Sequence, residues 1–474
     1  MTATADGASG TPVARSAPQP KPGPAEVGAA GTGPAEVGAA GTGSAKAASV
    51  GERALAEAAE VVLALPDLHG RLLGTRLAGD FFREQVATSG YGACDYLLSA
   101  DVEMRAVAGY SGDYGDFVLR PDPRTARRLP WRDRTVLVLA DATDRDGVPI
   151  PVAPRQILRT QLDRLAARGL TALVGTELEF LVFAESYREA FAGGYRDLRT
   201  ASRFNSDYAL TGLGELDDLV GRLLRDMAGA GLRIESARGE VHPGQFEIVF
   251  RYSEALAACD GHVFYKTGAK QIAEAAGRAI TFMPKFDEGE GNSCHVHFSV
   301  RDRAGRPVFA EDRRLADHFL AGVLACAPEF TLLCAPTINA YKRLSPDAFA
   351  PTAAAWGTDD RTRALRIVGA GESRRFEHRI AGGDANPYLV VAGIVASGLH
   401  GVERELPLPP PGGDGEPLPR TLEAAAAAWR ASAVARSAFG DEVVEHLAAA
   451  ADAELAAFAA TTTDWERRRG FERL

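Results

Sequence analysis

GTELEFLVF, at Gly175–Phe183, places two glutamates two residues apart inside an apolar run. Residues i and i+2 of a β-strand point to the same face, so Glu177 and Glu179 project their charges into one space while the leucine between them faces the other side. Two like charges on one strand face repel each other unless a cation or an arginine compensates them. The stretch therefore predicts a β-strand that lines a charged cavity.

Three further segments repeat this pattern: GEVHPGQFEIVF, SCHVHFSV and RRFEHRI. Their polar positions within apolar sequence are Glu240, Glu247, His295, His297, Ser299, Arg375, Glu377 and Arg379. Any one such pair could lie on the solvent-exposed face of a half-exposed strand, but four such pairs in one chain favour neighbouring strands around one site. A ligand set rich in oxygen, with a single plausible imidazole ligand and no thiolate cluster, suits Mg²⁺ or Mn²⁺ better than Zn²⁺. Two metal ions clamping a nucleotide phosphate would use such a set.

Composition narrows the class of protein. The 474 residues, 46% of them hydrophobic, allow a large core in two or three domains. A net charge of -10 argues against nucleic acid or an anionic membrane as partner, because both need concentrated positive charge. The five cysteines lack metal-site spacing, which indicates reduced thiols. Without an apolar run near the roughly 18 residues of a spanning helix, or a signal-peptide pattern, we expect a cytoplasmic protein.

The chain divides by composition into three parts. Residues 1–49 are rich in Ala, Gly, Pro and Ser and repeat GPAEVGAAGT, which predicts a disordered tail without a catalytic part. Residues 50–150 indicate a small mixed domain, with two strands around a turn at Asp67–Gly70. Residues 151–474 start with an amphipathic helix at Pro154, alternate strands with helices and end in Ala-rich helices.

In this order, the segments resemble the glutamine synthetase superfamily of ATP-dependent carboxylate–amine ligases. The resemblance covers residues 52–474 and includes PDPRTARRLPW, FMPKF, GEGNSCHVH, INAYKRL, DRTRALR and NPYLVVAG. It implies an α+β fold: a small N-terminal β-grasp domain at residues 50–150, then a large catalytic domain at residues 151–474 with an antiparallel half-barrel sheet and surrounding helices. It also implies a homo-oligomer, a dodecamer in bacterial relatives, with active sites between subunits.

The resemblance assigns two metal sites and a substrate site. The ligands of one metal ion would be Glu179, Glu240 and Glu247, and those of the other would be Glu177, His295 and Glu377. The glutamate substrate would be bound by Arg343, Arg379 and Gly291. The nucleotide side would include Glu235, His297, Ser299, Arg361, Arg366 and Arg375, of which Arg361 also serves catalysis and His297 supports either nucleotide or substrate.

The implied chemistry activates a carboxylate, which is a poor acylating agent until it is phosphorylated. ATP would convert glutamate to γ-glutamyl phosphate, with the transferring charge stabilised by metal ions and arginines. An amine would then displace phosphate. Asp101, in LLSADVEM, resembles the aspartate that reaches the adjacent subunit's site and binds or deprotonates this amine, although Asp113 and Asp116 lie nearby.

Three positions depart from the family pattern. Phe349 stands where ammonia-using members carry a flap glutamate, so an alkyl group could pack where ammonium would bind. Glu290 and Asp360 replace asparagines beside Gly291 and Arg361, and both could reshape the amine pocket. The sequence of these segments is most similar to the γ-glutamyl-amine ligases, and we expect ethanolamine as the acceptor. The alternatives are a polyamine ligase, an ammonia-using glutamine synthetase despite Phe349, and a catalytically silent ring protein.

Overall fold

The computed structural model describes residues 50–107, 115–210, 214, 216–289, 291–345 and 348–474. The predicted tail at residues 1–49, together with Asp113 and Glu290, lies outside the described residues. Within these ranges helices and strands alternate around two main sheets, and the sheets are formed mostly by separate parts of the chain. This arrangement confirms the predicted α+β class.

The first sheet comprises β1 (Glu60–Pro66), β2 (Leu72–Ala78), β3 (Tyr91–Cys94), β4 (Asp116–Pro121), β5 (Arg127–Arg128) and β6 (Thr135–Thr143). Its order is β2-β1-β6-β4-β3, with β5 also paired to β6. The central strands β1 and β6 run parallel. Val61, Leu63 and Val138 on these strands are fully buried, which explains why these runs form the centre.

The remaining strands are β7 (Leu170–Phe183), β8 (Ile234–Gly239), β9 (Gln245–Phe250), β10 (Ser253–Glu254), β11 (Ala279–Thr281), β12 (Cys294–Asp302), β13 (Ala353–Ala354), β14 (Trp356–Thr358), β15 (Leu365–Val368), β16 (Arg375–His378) and β17 (Glu416–Pro417). The second sheet has the order β14-β15-β16-β12-β7-β9-β8, and β10 and β11 also pair with β7. Apart from β14 with β15, these pairs are antiparallel, as predicted. Strands β13 and β17 form a separate pair.

In the described ranges, the α-helices of four or more residues are α1 (Val50–Glu57), α2 (Pro154–Ala167), α3 (Tyr187–Ala192), α4 (Asp217–Gly229), α5 (Ala255–Ala275), α6 (Val308–Glu311), α7 (Arg313–Cys326), α8 (Thr331–Cys334), α9 (Ala340–Arg343), α10 (Pro387–Glu403), α11 (Leu422–Ala431), α12 (Ala433–Phe439), α13 (Asp441–Ala459) and α14 (Asp464–Gly470). Helix α2 begins at the predicted Pro154, and α11 to α14 confirm the Ala-rich helical end. The apolar α10 packs against α7 and α2 and is buried along most of its length. Among the described residues, no helix has both the length and the apolar content to cross a membrane.

A buried ion-pair cluster fastens α2 and α5 to the first sheet. Arg155, only 2% exposed, donates to Asp122 at 2.9 Å, Asp141 at 2.5 Å and Asp260 at 2.9 Å. The Tyr388 hydroxyl also donates to Asp260, at 2.7 Å. Burial alone would lower the pKa of Arg155, but the carboxylates raise it above its ordinary value. The charged cluster therefore fixes the second sheet's helices relative to the first sheet.

Candidate active site

Burial alternates along β7 and sets its two glutamates on one face. Leu178 and Phe180 are buried in the core, whereas Glu177 is half-buried on the opposite face. Removing leucine and phenylalanine side chains from water stabilises the folded state, so these residues determine which face of the strand packs against the helices. The carboxylates of Glu177 and Glu179 consequently face the space beside the neighbouring strands β9 and β12.

Glu179, Glu240 and Glu247 form one group, called here the three-glutamate cluster. Each offers an oxygen within 4.8 Å of the other two. Glu179 lies directly across from Glu247 in the β7–β9 register, and Glu240 follows β8 immediately. The backbone N–H of Ser293 donates to Glu179 Oε2 at 2.7 Å and holds that carboxylate in place. The residues predicted to ligate one metal ion thus converge.

Burial and mutual repulsion oppose full ionisation of this cluster. Burial and then the charge of Glu179 raise the pKa of Glu240 to about 7. Burial and the charge of Glu177 raise the pKa of Glu247 well above its ordinary value. Arg238 compensates in part, because its Nε lies 3.0 Å from Glu240 Oε1 and its Nη2 lies 2.5 Å from Glu247 Oε1. One guanidinium beside three carboxyl groups leaves room for a divalent cation, so this donor set fits a metal ion.

Glu177, His297 and Glu377 form the mixed cluster, in which one ligand atom of each also lies within 4.8 Å of the others. Arg375 Nε donates to His297 Nδ1 at 3.0 Å, so Nε2 carries the ring hydrogen and donates to Glu177 Oε1 at 2.8 Å. The predicted ligand His295 lies opposite Glu177, with its Nδ1 3.3 Å from Glu377 Oε1 and 3.8 Å from Glu177 Oε2. Both histidines border this cluster, and His295 as the ligand stays a prediction.

The mixed cluster has the opposite electrostatic character. Burial would raise the pKa of Glu177, but His297 and His295 hold it well below its ordinary value. Burial also opposes ionisation of Glu377, yet His295 and Arg379 lower its pKa. Burial and the charge of Arg379 lower the pKa of His295, which favours the neutral imidazole that binds metals. These ligand groups therefore favour the protonation states that a metal ion requires.

The arginines predicted to bind substrate and phosphate differ in burial and in whether they contact the mixed cluster. Arg366 Nη1 donates to Glu377 Oε2 at 3.0 Å, and Arg379 Nη1 donates to Glu377 Oε1. Arg343 is buried and donates to a backbone carbonyl at 2.9 Å. Arg361 is exposed between β14 and β15. Among the described residues, Arg379 Nε has no hydrogen-bond partner although it is buried, so it remains a donor for an anion.

The other predicted nucleotide residues lie on two strands. Glu235 falls at a register shift of β8, a β-bulge between Ile234 and Ser236, and is exposed. The extra residue at such a bulge has no partner across the strand pair, which accounts for the exposure of Glu235. Ser299 follows His297 by two positions on β12 and is half-buried. The roles of Glu235 and Ser299 toward a nucleotide stay predictions.

Gly291 has a steric reason to be glycine, and its neighbour Gln245 was not predicted. A Cβ at Gly291 would lie 2.1 Å from the Pro284 carbonyl oxygen. The buried Gln245 amide donates to the Gly291 carbonyl at 3.0 Å and to Glu179 Oε2 at 3.2 Å. Gln245 therefore joins the predicted substrate segment to the three-glutamate cluster. Its position two residues before Glu247 in the same strand was the signal that could have identified it, as the position of Arg238 before Glu240 was for that arginine.

Asp101 shapes its own loop in the single chain. Its Oδ1 accepts from the backbone N–H of Glu103 at 2.9 Å and of Arg105 at 2.8 Å. Arg71 Nη2 donates to the Asp101 carbonyl at 2.9 Å. The neighbouring Asp116 is exposed at the start of β4. A role of Asp101 in an adjacent subunit's site stays a prediction.

The two described positions that depart from the family pattern differ in character. Phe349 is 49% exposed and has φ 47°, a left-handed conformation that phenylalanine rarely adopts and that concentrates at functional sites. Asp360 accepts from the Thr362 backbone N–H at 2.9 Å and from Arg363 Nε at 3.0 Å. Asp360 therefore holds the turn that presents Arg361. Contact of either residue with an amine stays a prediction.

Comparison with known proteins agrees with this geometry. The model of the family described as glutamine synthetase, catalytic domain, matches residues 151–470. The chain is 53% identical to the γ-glutamylethanolamide synthetase GlnA4 of Streptomyces coelicolor, over 89% of this chain and 94% of that relative. It is 34% identical to a glutamate–isopropylamine ligase of a Pseudomonas species, over 86% and 94%. A solved GmaS–ADP complex superposes with a TM-score of 0.79 at 28% identity, covering 90% of this chain and 99% of the other.

Proposed function

Since this chain belongs to the glutamine synthetase family, we propose that it joins the γ-carboxylate of glutamate to the amino group of ethanolamine. The chain is an ATP-dependent carboxylate–amine ligase, as its relatives are. One observation carries the proposal: the three-glutamate cluster and the mixed cluster lie side by side on β7, β9, β12 and β16. Such a surface serves phosphoryl transfer, in which charge stabilisation and positioning supply most of the catalysis.

We assign two divalent ions, Mg²⁺ or Mn²⁺, to these clusters. Glu179, Glu240 and Glu247 would hold one, and the donor set of all-oxygen ligands suits either ion. Glu177 and Glu377 with His295 would hold the other, with His297 fixed against Glu177 by Arg375. When bound, the ions supply neutralising charge to the phosphate oxygens of ATP. The raised pKa of Glu240, about 7, supports this assignment, because a buried carboxyl group without a cation is poorly accommodated.

The arginines divide between the two substrates. Arg343 and Arg379 are buried, with the Arg343 side chain beside Gly291, and both would bind the α-carboxylate of glutamate by charge-assisted hydrogen bonds. Arg366 and Arg375 lie at the mixed cluster, and Arg361 is presented on the turn beyond it, so these three would bind phosphate oxygens. Glu235 and Ser299 would contact the nucleotide away from the transferring phosphate.

The reaction proceeds in two steps, phosphoryl transfer and then attack by the amine. An oxygen of the glutamate γ-carboxylate attacks the γ-phosphorus of ATP, the bond to the bridging oxygen breaks, and ADP leaves. The neutral amine then attacks the carbonyl carbon of γ-glutamyl phosphate. Phosphate leaves with the original carboxylate oxygen, and the amine proton passes to a carboxylate, for which Asp101 of an adjacent subunit is our candidate. No protein nucleophile is needed.

Ethanolamine is the acceptor that these features favour. The two curated relatives described above are named after a small monoamine, ethanolamine in one and isopropylamine in the other. Phe349, half-exposed at the flap position, offers an apolar ring where ammonium would need a carboxylate. A polyamine would need several acids along a channel, so polyamine ligation is the second candidate and ammonia the third.

The wider organisation is also part of the proposal. We infer a β-grasp domain at residues 50–150 and a catalytic domain at residues 151–474, which the family match at residues 151–470 supports. A homo-oligomer, a dodecamer by analogy with bacterial relatives, would bring Asp101 to the neighbouring site. We expect the enzyme in the cytoplasm, where ATP and glutamate are abundant.

An acceptor series tests the function. The purified full chain receives ATP, Mg²⁺ and glutamate with ethanolamine, isopropylamine, putrescine, spermidine or ammonium, and ADP release and the amide product are measured. The proposal predicts the largest kcat/KM with ethanolamine and a weak response to ammonium. A preference for putrescine or spermidine would make the chain a polyamine ligase, and a preference for ammonium would make it a glutamine synthetase. Absence of turnover with every acceptor would favour a catalytically silent ring protein.

A further inference from the structure

His242 is a buried histidine that the catalytic assignments do not use. It lies in the turn of residues 240–244 that joins β8 to β9, so Glu240 and Gln245 flank it in sequence. Its side chain is 7% exposed. The turn is stiff, because the Gln245 backbone N–H donates to the His242 carbonyl at 2.9 Å and the His242 N–H donates to Gln245 Oε1 at 3.1 Å. The imidazole therefore has a fixed position relative to the three-glutamate cluster.

Both ring nitrogens of His242 have acceptors. Nδ1 lies 2.8 Å from the Pro243 carbonyl oxygen, which can only accept, so Nδ1 carries a hydrogen. Nε2 lies 3.0 and 3.1 Å from the two carboxylate oxygens of Asp287. Asp287 belongs to the segment of residues 284–289, the 284–289 loop, which is 45 residues away in sequence. The ring thus bridges the Pro243 carbonyl and the Asp287 carboxylate, and it ties the turn to the loop.

The 284–289 loop is fastened at other points by backbone hydrogen bonds. Lys285 exchanges two bonds with the Asn339 side chain, at 2.9 and 2.8 Å, just before the helix that carries Arg343. At its far end Asp287 Oδ1 accepts from the Gly289 N–H at 2.8 Å, and a Cβ at Gly289 would lie 2.4 Å from the His242 ring. The loop therefore packs directly on the imidazole, immediately before Gly291.

An open groove beside the His242–Asp287 contact makes that contact important for the position of the loop. A groove of about 810 Å³ opens beside this contact and is lined by His242, by Asp287–Gly289 and by residues 198–203. On that side the loop borders an open groove, so packing contributes less to holding the loop against the 240–244 turn. The His242–Asp287 pair is the side-chain tie, among the described residues, between the turn that carries Glu240 and the far end of the loop.

We infer that His242 and Asp287 form a latch that positions the 284–289 loop and Gly291 for the carboxylate substrate. His242 is then a positioning residue, acting through Asp287 and not on the reacting atoms. This inference rests on the proposed function, since it takes glutamate as the substrate bound beside Gly291. It adds that the affinity for glutamate depends on a pair outside the metal and arginine set.

The test compares five variants of the full chain with saturating ATP, Mg²⁺ and ethanolamine. His242→Phe keeps the ring volume and removes the donor, His242→Gln keeps a donor at the Nε2 position, and Asp287→Ala removes the acceptor. The double variant His242→Phe/Asp287→Ala measures coupling. Glu288→Gln is the matched control, because Glu288 is exposed in the same loop.

The latch predicts a rise of about tenfold in the glutamate KM for His242→Phe and for Asp287→Ala, the size of one charge-assisted hydrogen bond. The kcat should stay within about twofold, the double variant should match the single ones, and His242→Gln and Glu288→Gln should behave like the parent. An unchanged KM in both single variants, or a double variant in which the two effects multiply, would overturn the latch.

Hydrogen exchange separates this inference from the proposed function. In the substrate-free protein, amides of the 284–289 loop should exchange faster in His242→Phe, which keeps the Asp287–Gly289 hydrogen bond, than in Glu288→Gln, whatever the catalytic activity. Equal exchange would refute the latch even in an active ligase. A parent protein that released no ADP with any amine would instead refute the proposed function, and the exchange result would still decide the latch.

Discussion

Glu240→Gln should stabilise the metal-free protein at alkaline pH. The pKa of Glu240 rises from 4.5 to about 7, first because of burial and then because of Glu179. Below pH 4.5 the carboxyl group is protonated in both states, so it carries no penalty. As the pH rises toward 7 the unfolded chain ionises first, and the folded state loses up to about 3 kcal/mol relative to it. Glutamine has nearly the same shape and no charge, so the variant should escape this loss.

Urea unfolding followed by tryptophan fluorescence, with a chelator present, measures the effect at pH 5 and pH 8. At pH 8 we expect Glu240→Gln to be more stable than the parent by about 2 to 3 kcal/mol, and at pH 5 the difference should shrink to below about 1 kcal/mol. Arg238 keeps its contact with Glu247 in the variant, so the gain is not offset by a freed guanidinium. Glu235→Gln, on the exposed bulge of the same strand, is the control and should change neither value.

Metal ions should reverse the order of stability. Adding Mg²⁺ or Mn²⁺ at about a hundred times the dissociation constant stabilises a binding protein by about 2.7 kcal/mol. The parent should gain this amount, whereas Glu240→Gln lacks one ligand of the three-glutamate cluster and should gain much less. A variant that is less stable than the parent at pH 8 without metal, or that responds to metal equally, would refute the reasoning.

Three further substitutions have distinct expected results. Arg155→Met should lower the free energy of unfolding by about 3 to 5 kcal/mol, because it leaves buried carboxylates unpaired. Arg159→Met removes a half-buried side chain and should lower the free energy of unfolding by less. Urea unfolding compares the two variants, and equal losses would contradict the role of the cluster. Gly291→Ala should raise the glutamate KM at least tenfold, because its Cβ would meet a carbonyl oxygen at 2.1 Å, and an unchanged KM would contradict this. Phe349→Glu should shift kcat/KM toward ammonium and away from ethanolamine, and no gain with ammonium would show that the flap position does not select the amine.

The strands of the site were predictable because their signals are local. The alternation of Glu177 and Glu179 with buried leucine and phenylalanine requires no knowledge of partners. The family pattern then supplied the order of the segments and the grouping of Glu179 with Glu240 and Glu247, which the structure brings together. Helix α2 was predictable for the same reason, since Pro154 marks its start and its apolar residues recur with helical spacing.

The parts that were missed depend on register and on distant contacts. Arg238 meets Glu247 only because the bulge in β8 sets these two residues opposite each other. Arg155 contacts Asp260, 105 residues away, and this burial of charge has no local signature. The proximity of His297 to Glu177 follows from pairing of β7 with β12 and from the rotamer that Arg375 holds. Such features are set by tertiary packing.

The fate of one oxygen tests the central claim most directly. Glutamate labelled with ¹⁸O in its γ-carboxylate is converted with ATP, Mg²⁺ and ethanolamine, and the released phosphate is analysed by mass spectrometry. Activation through γ-glutamyl phosphate predicts one ¹⁸O atom in each phosphate for each γ-glutamylethanolamide formed. Amide formation with unlabelled phosphate would contradict the account, because the carboxylate oxygen would not have attacked ATP.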